Sequence, residues 1–163
     1  MSRLDSVIRR LEAQRASLDR AAALIETVRG PVFELGLGNG RTFDHLRERL
    51  PRREIFVFER QVMAHPDCVP DARHLVLGDL RQTLPWARDR FGASVALVHA
   101  DIGSGDKAAT AALATYLAAL LPQVLGPGAI VVCDQPLDTA ALEPLPPPDG
   151  VAADRYFTYR APS

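Results

Sequence analysis

A short apolar run, Pro31-Val32-Phe33-Glu34-Leu35, passes directly into Gly36-Leu37-Gly38-Asn39-Gly40 and on into Arg41-Thr42-Phe43-Asp44-His45-Leu46-Arg47-Glu48-Arg49-Leu50. Phe43, Leu46 and Leu50 stand three and four apart, which is helical spacing. The stretch therefore reads as a strand, a tight glycine turn and a helix start. Glycines at alternate positions let the backbone take positive φ and leave no Cβ in the way of a ligand. The first N–H groups of the helix lack intrahelical partners, so they face whatever lies in the turn.

The remaining chain repeats the alternation. Residues 4 to 29 carry Leu4, Val7, Ile8, Leu11, Leu18, Ala22, Ile25 and Val28 at helical spacing, predicting one amphipathic helix or two in tandem, ended by Gly30-Pro31. Glu54-Ile55-Phe56-Val57-Phe58-Glu59 predicts a second strand, apolar as a strand covered on both faces must be. Gln61 to Asp71 predicts a short helix broken by Pro66 and Pro70, and His74 to Leu80 a third strand ending at Gly78-Asp79. A helix over Thr83 to Arg90, with Trp86 in the core, precedes a fourth strand from Ala93 to Asp101. Ala108 to Val124 is rich in strong helix formers. A fifth strand, Ala129 to Asp134, follows Gly126-Pro127-Gly128. The proline-rich segment from Glu143 to Pro148 cannot be helical, and Arg155 to Arg160 alternates like a strand.

Four of these strands close on an acid: Glu59, Asp79, Asp101 and Asp134. In open α/β sheets ligands sit outside the carboxyl ends of the strands, so these acids and the glycine turn should share one crevice. Glu59, about twenty residues past the glycines, is placed to accept hydrogen bonds from both hydroxyls of a ribose. The glycine spacing disfavours a dinucleotide site, which wants G-x-G-x-x-G.

The run Glu34-x-Gly36-x-Gly38-x-Gly40 resembles motif I of the class I S-adenosylmethionine-dependent methyltransferases, and the resemblance covers residues 31 to 160 in order. It implies an α/β Rossmann-like fold, a mostly parallel sheet of order 3-2-1-4-5-7-6 with helices on both faces. The C-terminal part is trimmed: only Leu142 to Leu145 is available for the sixth strand. Residues 1–29 would form an N-terminal helical segment (a lid over the cleft, a packing helix or a dimer contact), and residues 30–163 the cofactor-binding domain. The resemblance places Gly36, Leu37, Gly38, Asn39 and Gly40 along the methionine part of S-adenosyl-L-methionine. Glu34 would help hold its ammonium, Glu59 its ribose, with Arg60 and Gln61 alongside, and Asp79 and Leu80 its adenine. Asp101 would border the sulfonium and the substrate entrance, and a ring of carboxylates suits a cation.

Methyl transfer needs position above all, with a base for the acceptor's proton. Asp101 and His99, two apart on one strand, are the catalytic candidates; His65 and His74 are assigned nothing. Asp101, Asp134 and Gln135 also resemble the Asp…Asp-Asn magnesium site of catechol O-methyltransferases, with Gln135 where that family has Asn, and no metal is the primary expectation. Thr42 and Asp44 are expected as helix caps, and Ser104 and Lys107 as loop residues.

Composition narrows the partners. A chain of 163 residues with net charge −1 has no basic surplus to draw it to nucleic acid or anionic membrane. Its N-terminus lacks a signal pattern, and Cys68 and Cys133 form no C-x-x-C pair, so a cytoplasmic protein without disulfides is expected. The activity implied is methyl transfer to a small molecule, through oxygen or nitrogen. The competing reading is a non-catalytic cofactor-binding module. A homodimer remains open.

Overall fold

The computed structural model describes residues 2–163. The chain runs α1 (Arg3–Leu24), β1 (Val32–Leu35), α2 (Arg41–Arg49), β2 (Ile55–Glu59), β3 (Leu75–Leu77), α3 (Leu80–Phe91), β4 (Val95–Ala100), α4 (Lys107–Leu120), β5 (Leu125–Cys133), β6 (Glu143–Leu145) and β7 (Phe157–Arg160). The strands form one seven-stranded sheet in the order β3-β2-β1-β4-β5-β7-β6, the order that the methyltransferase resemblance implies. β1 to β5 are mutually parallel, whereas β7 runs antiparallel to both β5 and β6.

Apart from the buried Glu34 and His99, the central strands are apolar on both faces because both faces are covered. Phe33, Leu35, Phe58, Val98 and Val131 point into one core with Leu84 and Ala87 of α3 and Leu117 of α4. The alternate residues Val32, Val57, Leu97, Ile130 and Val132 point to the other side, against Leu18, Ala21 and Ile25 near α1 and Leu46 of α2. On the first side, Phe33 lies 4.9 Å from Phe58 and 5.3 Å from Phe91, and this aromatic packing seats the end of α3 on the sheet.

α1 is a single helix, opened by a reciprocal hydrogen-bonded box between Ser2 and Asp5 and finished before Gly30. The stretch from Gln61 to Asp71, expected to be helical, yields only a 3-10 turn at Pro66–Cys68, because the prolines allow no more. α3 starts three residues earlier than expected: the Asp79 side chain accepts from the Arg81 N–H and so caps an added turn. Trp86, expected in the core, stands 43% exposed at the helix edge, with the Arg90 guanidinium 5.2 Å from its ring. No long helix intervenes between β5 and β6; the connection is tied by the Leu137 N–H donating to the Tyr159 hydroxyl at 2.8 Å. Among the described residues, no helix is long and apolar enough to cross a membrane.

Candidate functional site

From β1 the chain steps to β2 and β3 on one side and to β4 and β5 on the other, so strand order reverses between β1 and β4. A cleft of about 430 Å³ opens at the carboxyl ends of the strands there. It brings together Gly36, Leu37, Gly38, Asn39, Glu59, Arg60, Asp79, Leu80, Asp101 and Ser104. The carboxylates of three separate strand ends thus meet over the glycine turn.

Two of the glycines do different work. Gly38 has φ +53° and a Cβ built on it would meet nothing within 4 Å, so its backbone is open to the cleft. Gly40 has φ +82° and is buried, and a Cβ there would lie 2.5 Å from Cys68 Cβ and 2.7 Å from the Cys68 carbonyl oxygen. Gly40, expected along the methionine, is instead a packing position beneath the 3-10 turn and lies outside the cleft. Expected as a cap, Thr42 instead donates to Glu34, leaving Gly40 as the helix N-cap without a side-chain bond, while Asp44 pairs with Arg47 at 2.6 Å.

Glu59 turns toward the glycine turn. Its Oε2 accepts from Leu37 N–H at 2.8 Å and Gly38 N–H at 3.1 Å, and its Oε1 from Arg60 at 2.7 Å and Gln61 at 3.3 Å. Burial alone would raise its carboxyl pKa, but these four backbone donors outweigh it and hold the group below its ordinary range. Each oxygen therefore carries one short bond and one long one. Gln61 contributes its backbone N–H here and does not line the cleft.

Glu34 and His99 are corrected by the structure. Neither lines the cleft. β1 and β4 pair with Glu34 opposite His99, both fully buried on the α1 side of the sheet, with His99 Nδ1 2.7 Å from Glu34 Oε2. Burial disfavours the imidazolium, yet the adjacent Glu34 carboxylate prevails and raises the His99 pKa. With both oxygens of Glu34 engaged, by His99 and Thr42, Glu34 does not extend to an ammonium in the cleft, and His99 is sealed from any acceptor.

Asp101 is reached from the first helix. Gln14 donates to its Oδ2 at 3.0 Å, and Arg10 lies 3.5 Å from the same oxygen. The sequence reading missed both, although Gln14 occupies a buried position on α1 in the gap between the apolar residues Leu11 and Leu18. A polar residue on the packed face of a helix was the available signal. Asp134 accepts from the N–H groups of Ile102 at 2.9 Å and Gly103 at 2.8 Å and from the Gln135 amide at 3.0 Å. Burial raises its pKa. Those bonds anchor the loop after β4 and engage both oxygens of Asp134; among the described residues no group of three or more His, Cys, Asp or Glu side chains could hold a metal ion. Lys107 opens α4 outside the cleft.

The residues present suit a cationic nucleoside: an exposed glycine backbone for close approach, a strand-end carboxylate for a ribose and two further acids on the rim. The family model described as S-adenosyl-L-methionine methyltransferase matches residues 1–161. A crystal structure of an S-adenosyl-L-methionine methyl transferase from Silicibacter pomeroyi DSS-3 is 45% identical, covers 99% of each chain and superposes with a TM-score of 0.93. The antibiotic-resistance methyltransferase Kmr matches 86% of this chain and 90% of its own at 10% identity and a TM-score of 0.55. A 16S rRNA (adenine(1408)-N(1))-methyltransferase from Catenulisporales acidiphilia, with its cosubstrate, matches 90% and 91% at 14% identity and a TM-score of 0.50. At such identities the last two likenesses are of fold alone. No curated protein matches the chain.

Proposed function

The chain belongs to the S-adenosyl-L-methionine methyltransferase family, and from that premise we propose that it methylates an oxygen or nitrogen of a small-molecule acceptor. The observation that carries this reading is the crowding of the cleft: about 430 Å³, roofed by Arg10 and Gln14, must admit cofactor and acceptor together. A volume of that order suits small ligands. The bound cofactor supplies an activated methyl group on a sulfonium.

The chain's own residues bind, orient and exclude water. Gly36 to Asn39 offer backbone to the methionine portion. Glu59 would hold the ribose hydroxyls, and its short bonds from the Leu37 and Arg60 N–H groups keep the carboxylate aimed. Asp79 and Leu80 border the adenine. Asp101 faces the reacting end and accepts the acceptor's proton, with α1 closing over it. Leu4, Val7 and Ile8, exposed along α1, offer a second copy of the chain an apolar face; sedimentation as a monomer removes that part. The test of the activity is transfer of labelled methyl from S-adenosyl-L-methionine to a panel of small hydroxyl and amine acceptors. Turnover that falls strongly in Asp101→Asn supports the reading. Turnover on structured RNA in place of every small acceptor would refute it.

A further inference from the structure

Three carboxylates reach the cleft, and four arginines line it: Arg10, Arg41, Arg60 and Arg81. The acids do not account for the bases. Glu59 is engaged by backbone N–H groups, and Asp79 caps α3. Only Asp101 meets one of the four, Arg10, at 3.5 Å. Among the described residues neither Arg41 nor Arg60 has a carboxylate within ion-pair distance, and Arg81 lies 5.6 Å from the Tyr116 ring. A rim with more cations than the acids beside it can pair, on a chain whose net charge is −1, is built to receive negative charge.

Arg41, the first residue of α2 directly after the glycine turn, is in place for the carboxylate at the cofactor's methionine end. Arg10 is different. It shares Asp101 Oδ2 with Gln14, at the reacting end of the cleft. Resting on the reading that the cleft holds S-adenosyl-L-methionine, a cationic cofactor draws on the same Asp101 carboxylate, and two cations on one carboxylate oppose each other. An anionic group on the acceptor gives the guanidinium a new partner and relieves that conflict. Arginine's planar fork suits carboxylate and phosphate oxygens equally.

We propose that the acceptor is an acidic small molecule, carrying a carboxylate or phosphate that Arg10 grips beside Asp101. The cofactor thereby loads first, and the acid follows as its counter-charge. Arg10 is a specificity-determining residue of this site.

The experiment is calorimetric titration at fixed ionic strength. The full chain, saturated with a non-transferable analogue of S-adenosyl-L-methionine that carries an ammonium in place of the sulfonium, is titrated with two matched pairs, benzoate against benzamide and phenyl phosphate against phenol. The expected result is that at least one anion binds roughly tenfold or more tightly than its neutral counterpart, and which one does so distinguishes carboxylate from phosphate. Arg10→Gln abolishes the preference, and Arg10→Lys retains part of it, while both variants still bind the analogue. Equal binding within both pairs, or a preference that survives Arg10→Gln, overturns the proposal while leaving the cofactor reading intact. Tighter binding of a short single-stranded RNA than of either anion also overturns it. Absence of any heat with the analogue overturns the cofactor reading and this inference together.

Discussion

Giving Gly38 a side chain separates the two purposes a glycine turn can serve. At φ +53° an alanine costs about 1–2 kcal/mol of backbone strain, partly offset by about 0.4–1 kcal/mol from the stiffer unfolded chain. The net loss is about 1 kcal/mol, which in a domain of this size lowers Tm by roughly 2–4 °C. The new methyl group meets no protein atom within 4 Å, so it projects into the cleft at the backbone's point of closest approach. Loss of one hydrogen bond to a charged ligand group there is worth about 1.5–3 kcal/mol, or roughly ten- to a hundredfold in Kd. Gly40→Ala should do the reverse. Its Cβ meets Cys68 at 2.5 Å and 2.7 Å, so overpacking of about 1–3 kcal/mol adds to a similar strain, while the folded fraction binds normally. Urea denaturation and calorimetry with S-adenosyl-L-methionine read the two quantities separately. If Gly38→Ala binds as the parent does, or if Gly40→Ala loses affinity without losing stability, the assignment of roles within the turn is wrong.

Three further outcomes follow from the buried groups. The His99 pKa is raised in the folded state above its ordinary 6.5, so its contribution to stability is complete below about pH 6.5 and is lost as pH rises through the folded value. Urea denaturation should therefore show stability declining above that pH, a trend that Glu34→Gln removes while costing about 3–5 kcal/mol at pH 6 through the broken buried pair. Tyr159→Phe leaves the buried Leu137 N–H without its acceptor and should cost about 1–3 kcal/mol in the same assay, with cofactor affinity unchanged. Burial pushes the Cys133 thiol up to about 12, so a thiol reagent at pH 8 should label Cys68 alone until the protein unfolds.

The strand order was legible only through the resemblance that the glycine motif carries, whereas the meeting of Glu59, Asp79 and Asp101 follows from chain-local signals: apolar runs, an acid at the end of each, and the rule that ligands of open sheets lie there. What was not legible depends on register between distant strands. Glu34 and His99 lie 65 residues apart, and only the pairing of β1 with β4 shows that they face each other under the sheet and not up into the cleft. The division of labour between Gly38 and Gly40 likewise depends on Cys68, which the 3-10 turn brings against Gly40. Trp86 misled because hydrophobicity says little about which side of a short surface helix is covered, whereas Gln14 was overlooked because a lone amide among apolar positions carries no motif.

A structure of the full chain with S-adenosylhomocysteine tests the central claim most directly. The expected result is ribose hydroxyls within hydrogen-bonding distance of Glu59, the amino-acid end over Gly36 to Gly38 and the adenine beside Asp79. A nucleoside bound elsewhere, with Glu59 still holding all four backbone N–H groups, would contradict it.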